Sequence, residues 1–347
     1  MAPAPRIVVA DDSPFMRSVL GGALSAAGFD VVGTAGDGDE ALAQCRALRP
    51  DAMTLDLAMP GLDGIGVLRA MRANEVADLP VIVVSAFSPA HGARAVDALA
   101  EGAFDLVPKP AVGEPFHSFT ENLATRLRAA IARQAAPPTN GHAAPRPLAP
   151  SRPSNRVGAA GGRRSVVIAA STGGPRALSR LLPQLPSPIG EGVVIVQHMP
   201  AGFTGSLAAR LDRGSKMLVR EAQPGDAFAP GTALVAPGGR HLRLELGRSV
   251  LSDADPIGGL RPRADLTIAD LVETWGERTL LVVLTGMGRD GVEGARAVRE
   301  AGGRVLCEAA ETCTVYGMPR AVVEDGLADL TLPLHELAPA IVAEAGA

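Results

Sequence analysis

The sequence has few cysteines, and their spacing excludes two kinds of cross-link. Cys45, Cys307 and Cys313 are the only cysteines among 347 residues, and no two of them form a CxxC pair. Three cysteines cannot all pair, so neither a disulfide framework nor a structural zinc site is expected. With 47% hydrophobic residues, a chain of this length can bury a large core without such cross-links.

Long apolar runs and an excess of basic residues are also lacking. No apolar run approaches the roughly 18 residues of a membrane helix, and the start MAPAPRIVVADD has no signal-peptide stretch. Asp and Glu (37) outnumber Lys and Arg (33), which argues against a general nucleic-acid binder. We therefore expect a soluble, cytoplasmic protein that has no nucleic-acid partner and does not insert directly into a membrane.

One segment differs in composition from the rest of the chain. Residues 132–163 hold five arginines, six prolines and no acidic residue. Such a segment buries too little apolar surface to offset the entropy lost on ordering, so it is expected to be a flexible linker. It separates two folded units, predicted at 1–131 and 164–347, in agreement with about 150 residues per domain.

The first unit alternates short β-branched runs with helical segments, the pattern of a parallel α/β sheet. Strands are predicted at 6–10, 30–33, 52–55, 81–84 and 104–107, with a last helix at 116–133. Five strands and five helices fit a doubly wound sheet, whose ligands bind beyond the carboxyl ends of the strands.

Polar side chains follow four of these strands. Asp11 and Asp12 follow the first strand, Asp56 the third, Ser85 the fourth and Lys109 the fifth. Three carboxylates at one sheet edge would repel one another without a cation, and Mg²⁺ prefers such oxygen ligands. Lys109, one of only two lysines in the chain, and the Ser85 hydroxyl would bind an anion held next to the metal.

This arrangement resembles the receiver domain of bacterial response regulators over essentially all of residues 1–131, including TLDLAMPGLDG at 54–64. The resemblance implies a flavodoxin-like fold in which a sensor histidine kinase donates a phosphoryl group to Asp56. It also implies Mg²⁺ on the three aspartates and the phosphoryl group on Ser85 and Lys109. Many receivers carry a switching aromatic residue three positions before that lysine, where this chain has Leu106, so an aromatic relay is not carried over.

The second unit begins with a strand predicted at 165–170 that stops at STGGP, residues 171–175. A helix is predicted at 175–182, which makes this a tight strand-to-helix turn whose backbone N–H groups point outward. Such a turn can cradle a phosphate, can present Ser171 as a nucleophile beside N–H donors, or can simply cap the helix with a serine.

Two further strands end in residues suited to hydrolysis. The strand at 193–196 leads to His198, and the very apolar strand at 279–284 leads to Asp290. A serine, a histidine and an aspartate at three strand ends of one α/β unit can form a nucleophile, a base and an orienting carboxylate. A phosphate-binding loop gains nothing from His198 and Asp290, and the Lys-Ser/Thr pair is absent, so hydrolysis is the favoured interpretation.

Several motifs of this unit resemble the chemotaxis protein-glutamate methylesterases. With the receiver and the linker, the match covers about the whole chain and predicts two doubly wound α/β units. The motifs are STGGP at 171–175, QHMP at 197–200, APGGRH at 236–241, LTGMGRDG at 284–291 and YGMPR at 316–320.

The resemblance implies that Ser171, His198 and Asp290 form a catalytic triad. The Met287 backbone N–H then belongs to the oxyanion hole, and Thr172, at the turn after Ser171, is a further candidate donor. The substrate implied is a glutamate γ-methyl ester on the cytoplasmic helices of a methyl-accepting chemoreceptor, hydrolysed to glutamate and methanol. Deamidation of receptor glutamines is implied as well, and no cofactor is implied for the esterase chemistry. Phosphorylation of the receiver is expected to relieve its inhibition of the esterase.

One segment departs from the family pattern. Residues 255–262 read DPIGGLRP, where family members tend to carry a more polar sequence before Arg-Pro, so the choice of receptor is open. Arg240, His241 and Arg261 either line a substrate groove or lie on the solvated surface, and His241 is predicted at the surface.

Two other functions stay open on the sequence. The second unit could have lost catalysis and serve as a phosphorylation-driven binding module, although its intact triad argues against this. The esterase could also act on a coiled-coil receptor of a sensory pathway other than swimming. A DNA-binding output is not favoured, because the second unit is slightly acidic and shows no recognition-helix pattern.

Overall fold

The computed structural model describes residues 3–73, 76, 78–86, 89–110, 116–135 and 162–346. The chain divides into two compact units, Met1–Pro137 and Pro138–Ala347, and each unit is treated by itself below. Within the described residues, no helix is long and apolar enough to cross a membrane.

The first unit is a five-stranded parallel sheet with the strand order β2-β1-β3-β4-β5. Its strands are β1 (Arg6–Ala10), β2 (Asp30–Ala35), β3 (Ala52–Leu55), β4 (Val81–Ser85) and β5 (Asp105–Pro108). Its helices are α1 (Pro14–Ala26), α2 (Gly38–Leu48), α3 (Gly64–Arg72), α4 (Pro89–Ala100) and α5 (Phe116–Ala135). This is the doubly wound order whose ligands bind where the strand order reverses, between β1 and β3.

The predicted doubly wound fold of this unit is confirmed, and every predicted strand lies within two residues of an observed one. The inner strands are buried along their length, as in β3 and β4, because helices cover both faces of a parallel sheet. Leu106 lies inside β5 and is buried.

The last helix of this unit continues past the predicted boundary at residue 131. Helix α5 ends at Ala135, two residues past its predicted end at 133, so residues 132–135 belong to the helix and not to the start of the linker. The physical reason is that Ala132, Arg133 and Gln134 are good helix formers, and the first proline comes only at Pro137. The remainder of the predicted linker, residues 136–161, lies outside the described residues.

The second unit contains a seven-stranded parallel sheet with the strand order β14-β13-β12-β6-β7-β9-β8. It also contains a separate two-stranded antiparallel hairpin. The sheet strands are β6 (Ser165–Ala170), β7 (Gly192–Gln197), β8 (Leu218–Glu221), β9 (Thr232–Val235), β12 (Thr279–Val283), β13 (Arg304–Glu308) and β14 (Leu330–Leu332). The hairpin strands are β10 (His241–Glu245) and β11 (Arg248–Ser252). The helices are α6 (Gly174–Leu181), α7 (Thr204–Gly214), α8 (Ala264–Trp275), α9 (Val292–Glu300), α10 (Met318–Glu324) and α11 (Leu334–Ala345).

This sheet also has a point at which the strand order reverses. The chain leaves β6 toward β7 on one side and returns to β12 on the other side of β6. Strands β6, β7 and β12 are buried at every residue, which fits the central strands of a sheet covered on both faces. The carboxyl ends of these three strands are therefore the place where a ligand site is expected.

The β10–β11 hairpin corrects one prediction. His241, predicted at the surface, is 1% exposed, because it begins a strand that packs against α8. Its Nε2 lies 3.2 Å from the carbonyl oxygen of Asp255. The two-residue turn of the hairpin, Leu246 and Gly247, has positive φ at both positions, as a type I′ turn requires.

Candidate functional sites

Three carboxylates of the first unit converge beyond the ends of β1 and β3. Ligand oxygens of Asp11, Asp12 and Asp56 lie within 4.8 Å of one another. Asp11 and Asp56 are buried, and Asp12 is exposed to solvent. This convergence follows from the parallel pairing of β1 with β3, which places their carboxyl ends side by side.

Lys109 reaches into this cluster from the end of β5. Its Nζ lies 2.7 Å from Asp11 Oδ2 and 2.7 Å from Asp56 Oδ2. Burial lowers the pKa of Lys109, but its contacts with the two carboxylates outweigh burial and raise the pKa above the usual value. Burial also raises the pKa of Asp11, against the opposing effect of Lys109. Lys109 is therefore held as a cation between two acidic side chains.

The remaining predicted residue of this site is Ser85. It is buried at the end of β4, and its carbonyl oxygen accepts the backbone N–H of Lys109 at 2.8 Å. Among the described residues its hydroxyl makes one long hydrogen bond of 3.5 Å, to the Ala86 carbonyl oxygen, so it can turn toward a ligand. Asp56 Oδ1 accepts the backbone N–H groups of Leu57 at 2.7 Å and Ala58 at 3.3 Å.

The donor set of this site fits Mg²⁺. Three carboxylates face a single ammonium group, so a divalent cation would complete the charge balance. All three donors are hard oxygen ligands, and the exposure of Asp12 leaves room for the waters that Mg²⁺ retains. Asp11, Asp12 and Asp56 are the residues that would hold the ion.

In the second unit, Ser171 comes directly after β6. Its backbone N–H donates to the Thr285 carbonyl oxygen at 3.0 Å, and its carbonyl oxygen accepts from Gly174 N at 2.8 Å. The backbone of Gly286 lies very close to Ser171, since a Cβ added at Gly286 would lie 2.7 Å from Ser171 Cβ. Ser171 is partly exposed, and no hydrogen bond of its hydroxyl is found within the described ranges of the chain.

His198 and Asp290 are in direct contact. His198 Nε2 lies 2.6 Å from Asp290 Oδ2, although 92 residues separate them along the chain. The backbone N–H of His198 donates to the Ala170 carbonyl oxygen at 2.9 Å, which fixes it beside the residue that precedes Ser171. The second ring nitrogen, Nδ1, is buried and has no hydrogen-bond partner among the described residues.

The three predicted residues are thus gathered at one sheet edge, but within the described part of the chain a hydrogen bond joins only His198 and Asp290. Ser171 and His198 follow paired strands, since Ala170 is the register partner of Gln197. No hydrogen bond joins Ser171 to His198 in the part of the chain that the structure describes. Such bonds are often long in proteins without substrate and tighten in the complex.

The Asp290 carboxylate is held by backbone N–H groups as well as by His198. It accepts from Ala264 N at 2.7 Å, Asp265 N at 3.1 Å and Gly291 N at 3.0 Å. Burial raises the pKa of Asp290, but the contact with His198 and the backbone N–H groups outweigh burial and lower the pKa to about 2. Asp290 is therefore a carboxylate at neutral pH.

The predicted oxyanion donors differ in their surroundings. Met287 lies in the loop after β12, and its N–H has no hydrogen-bond partner among the described residues. The loop is fixed by the Gly286 carbonyl oxygen, which accepts from Gly317 N at 3.1 Å and Met318 N at 2.8 Å. Thr172 is buried, and its carbonyl oxygen accepts the Thr285 hydroxyl at 2.9 Å.

Gln197 is a residue of this site that sequence reasoning missed. Its side-chain amide donates to the carbonyl oxygens of Ser171 at 2.8 Å and His198 at 3.0 Å, and so links the two segments. A glutamine beside a histidine at a strand end carries no distinctive signal, so only its place in the QHMP motif could have drawn attention to it.

Glu308 was also missed. It is fully buried at the end of β13, and its Oε2 accepts the backbone N–H of Thr285 at 2.9 Å. Burial is the largest cause that raises the pKa of Glu308, although hydrogen bonds to Thr285, Thr312 and Cys313 oppose it. An acidic residue that directly follows the apolar run Val305–Cys307 is the sequence signal that could have identified it.

The two arginines left open by the sequence are tied to the loop after β11. Arg240 pairs with Asp253 at 2.7 Å. Arg261 Nη1 lies 3.2 Å from the carbonyl oxygens of Asp253 and Ala254. Both side chains therefore brace this loop in the structure.

The first unit has the fold and acid cluster of a receiver domain, and the second is a parallel α/β unit with Ser171, His198 and Asp290 where its strand order reverses. Comparison with protein families agrees. The response regulator receiver domain matches residues 7–118, and the CheB methylesterase matches residues 166–341.

Curated relatives resemble the chain over nearly its whole length. The protein-glutamate methylesterase/protein-glutamine glutaminase of Symbiobacterium thermophilum is 43% identical, over 98% of this chain and 97% of that protein. Protein-glutamate methylesterase/protein-glutamine glutaminase 5 of Myxococcus xanthus is 44% identical, over 95% of each. The crystal structure of the Thermotoga maritima CheB methylesterase catalytic domain is 43% identical, with a TM-score of 0.51, and covers 52% of this chain and 98% of that one. The chain belongs to the protein-glutamate methylesterase/protein-glutamine glutaminase family, enzymes that join a receiver domain to a CheB methylesterase domain.

Proposed function

We propose that this chain is a phosphorylation-activated serine hydrolase that removes methyl groups from glutamate γ-methyl esters of chemoreceptors and deamidates receptor glutamines. The observation that carries the proposal is the 2.6 Å contact between His198 and a buried Asp290 beside the strand that ends at Ser171. The cytoplasmic helices of a methyl-accepting chemoreceptor are the proposed substrate, and sensory adaptation in chemotaxis is the proposed role. The proposed location is the cytoplasm.

Hydrolysis begins with Ser171. Its Oγ attacks the γ-carbonyl carbon of the glutamyl ester, while His198 Nδ1, the ring nitrogen not bound to Asp290, takes the hydroxyl proton. Asp290 holds the other ring nitrogen and stabilises the imidazolium that forms. The C–O bond to the methoxy group then breaks, and the proton on His198 passes to that oxygen, which releases methanol.

Water completes the cycle. It attacks the acyl carbon on Ser171, gives one proton to His198, and leaves a glutamate side chain when the bond to Ser171 Oγ breaks. His198 returns its proton to Ser171. For glutamine the same steps release ammonia in place of methanol, which accounts for one site with two activities.

The negative charge of each tetrahedral intermediate falls on the former carbonyl oxygen. The Met287 N–H is the proposed donor to this oxyanion, because it is unpaired among the described residues and its loop is fixed through Gly286. Thr172, on the turn after Ser171, is the second proposed donor. One such donor typically contributes about 3 kcal/mol to transition-state stabilisation.

Control is assigned to the first unit. Asp56 is the proposed phosphoryl acceptor, with a sensor histidine kinase as the donor, and Ser85 and Lys109 bind the phosphoryl oxygens. Bound Mg²⁺, held by Asp11, Asp12 and Asp56, supplies positive charge that offsets the negative charge of the transferring group. The phosphoryl group, with a charge of about −1.5 to −2 in place of the −1 of the free Asp56 carboxylate, relieves inhibition of the esterase by the receiver unit.

The test of this function is methanol release from methylated chemoreceptor membranes. Wild type should release methanol, Ser171→Ala should not, and Ser179→Ala should match wild type, because the Ser179 hydroxyl donates to the Pro175 carbonyl oxygen within α6. A small-molecule phosphodonor with Mg²⁺ should stimulate wild type but not Asp56→Ala. Equal rates for Ser171→Ala and wild type would show that the second unit is a binding module or a different enzyme.

A further inference from the structure

Helices α8 and α9 of the second unit both begin beside Asp290. Asp290, just before α9, caps the start of α8, and Asp265, in the first turn of α8, caps the start of α9. The first N–H groups of α8, those of Ala264 and Asp265, donate to the Asp290 carboxylate. In return, Gly291 N and Gly294 N, at the start of α9, each donate to Asp265 Oδ1 at 2.9 Å. Neither carboxylate can therefore move without leaving helix N–H groups unpaired.

Arg263 lies between the two carboxylates. Its Nη2 is 2.7 Å from Asp265 Oδ2, and its Nε is 3.6 Å from Asp290 Oδ1. The side chains of Asp265 and Asp290 are 11% and 1% exposed, so charge in this group is poorly screened by solvent. The pKa of Asp265 is raised, first by burial and then by the negative charge of Asp290, as expected for two carboxylates in close proximity.

We propose that Asp265 and Arg263 are positioning residues that hold Asp290 and set, through opposite charges, the electrostatic environment in which His198 takes a proton. The inference rests on the proposed hydrolytic function and adds two residues to it. Among the described residues neither side chain is paired with the imidazole, so they orient it by holding Asp290 and act on its charge across space.

The ionisable surroundings of His198 are few. Among the described residues, Asp290 is the ionisable group in contact with the imidazole. The loop after β6 contributes Ser171 to the surroundings of His198, and the hydroxyl of Ser171 carries no charge. The charged groups next to Asp290 come from the start of α8. One is Arg263, whose side chain faces the Asp290 carboxylate. The other is Asp265, whose backbone N–H donates to Asp290 and whose carboxylate shares the Gly291 N–H with it.

Opposite charges predict opposite effects. The imidazolium formed in the reaction is stabilised by the charge of Asp265 and destabilised by that of Arg263. Asp265→Asn keeps an acceptor for Gly291 and Gly294 but removes the charge. The acid limb, which is the rise of kcat/KM with pH on the acidic side of the pH profile, should therefore move to lower pH by about half a pH unit. Arg263→Gln should move the same limb to higher pH by about the same amount.

Two further variants separate charge from structure. Arg263→Lys retains the cation and should leave the acid limb at its wild-type position. The double variant Asp265→Asn/Arg263→Gln should return the limb close to wild type, because the two charges are removed together. A purely structural role predicts slower turnover in all four variants with no movement of the limb.

The experiment measures the full-length chain in two ways. The first is kcat/KM for methanol release against pH for wild type and the four variants. The second is the NMR titration of the His198 ring in protein with labelled histidine, assigned by the signal that Ser171→Ala retains and His198→Asn loses. Opposite movements for Asp265→Asn and Arg263→Gln support the inference, and movement in one direction or none overturns it.

The two readouts also separate this inference from the proposed function. If wild type releases no methanol, the hydrolytic proposal fails, while the ring titration still decides whether the two charges act on His198. If methanol release depends on Ser171 but the charge variants move neither readout, the hydrolase proposal stands and the positioning role is wrong.

Discussion

Asp290 Oδ2 binds His198 Nε2 at 2.6 Å and the Ala264 N–H at 2.7 Å, so one carboxylate oxygen fixes both an imidazole and the start of a helix. The imidazole orientation is therefore set by the backbone of α8 as well as by the side chain of Asp290.

Replacement of Asp290 by asparagine should lower kcat by about 10³- to 10⁴-fold. The amide has one acceptor oxygen for the ring and the backbone N–H groups, and it cannot stabilise an imidazolium by charge. The measurement is methanol release at saturating methylated receptor. Asp253→Asn is the matched control, because Asp253 is largely exposed and pairs with Arg240. A loss of less than tenfold would remove Asp290 from the mechanism.

Gly286→Ala should lower kcat by about 10²-fold, because a new Cβ would overlap Met318 Sδ and lie 2.7 Å from Ser171 Cβ, so the loop and the nucleophile must move apart. The unit should still fold, which circular dichroism would verify. Gly214→Ala, at the end of α7, is the control, since its added Cβ would meet only Pro183 at 3.6 Å. Full activity in Gly286→Ala would mean that the close approach does not position Ser171.

Glu308 makes the second unit pH-sensitive in a defined direction. Its pKa is raised in the folded state by burial, so its favourable contribution is fully present below the unfolded value of 4.5 and is lost as pH rises through the raised folded pKa. Glu308→Gln keeps an acceptor for Thr285 N and should remove this loss, so the variant gains stability relative to wild type as pH increases from 4 to 7. The measurement is urea unfolding followed by Trp275, the only tryptophan of the chain, which lies in this unit.

The matching variant Glu308→Leu tests the hydrogen bond itself. It leaves the buried Thr285 N–H without an acceptor, which typically costs about 1–3 kcal/mol. We therefore expect lower stability than wild type at every pH in the same unfolding experiment. Equal stability of the Leu and Gln variants would contradict the assigned role of this contact.

Asp12→Asn should weaken Mg²⁺ binding by at least about tenfold, because one of three carboxylates loses its charge while the Lys109 contacts with Asp11 and Asp56 remain. Calorimetric titration of the full-length chain with MgCl₂ measures the affinity. Asp39→Asn serves as the control, since Asp39 is an exposed acid in the first turn of α2. Equal weakening in both variants would indicate a general charge effect instead of a defined site.

The sequence predicts most of the fold because parallel sheets leave a clear pattern. Strands such as Val193–Val196 within β7 are continuous apolar runs, and their ends carry the polar residues that meet at the sheet edge. Both doubly wound units could therefore be predicted, together with the positions of Ser171, His198 and Asp290 at strand ends.

What the sequence did not reveal are contacts made by ordinary residue types in a tertiary setting. Asp265 looks like any acid in the first turn of a helix, and its bonds to α9 depend on how α8 and α9 pack. His241 looked like a surface residue beside an arginine, but the packing of β10 against α8 buries it. The linker was predicted to begin at residue 132, inside α5, because charge composition, and not helix propensity, set that boundary.

The proposal that Ser171 is the nucleophile and becomes acylated is tested most directly by mass spectrometry of the acyl adduct. Wild-type chain mixed with methylated receptor peptide is quenched in acid within milliseconds to seconds, digested, and analysed by mass spectrometry. The account predicts a γ-glutamyl adduct on the peptide that contains Ser171, present in wild type and absent in Ser171→Ala and His198→Ala. An adduct on another residue, or methanol release that persists undiminished in Ser171→Ala, would contradict it.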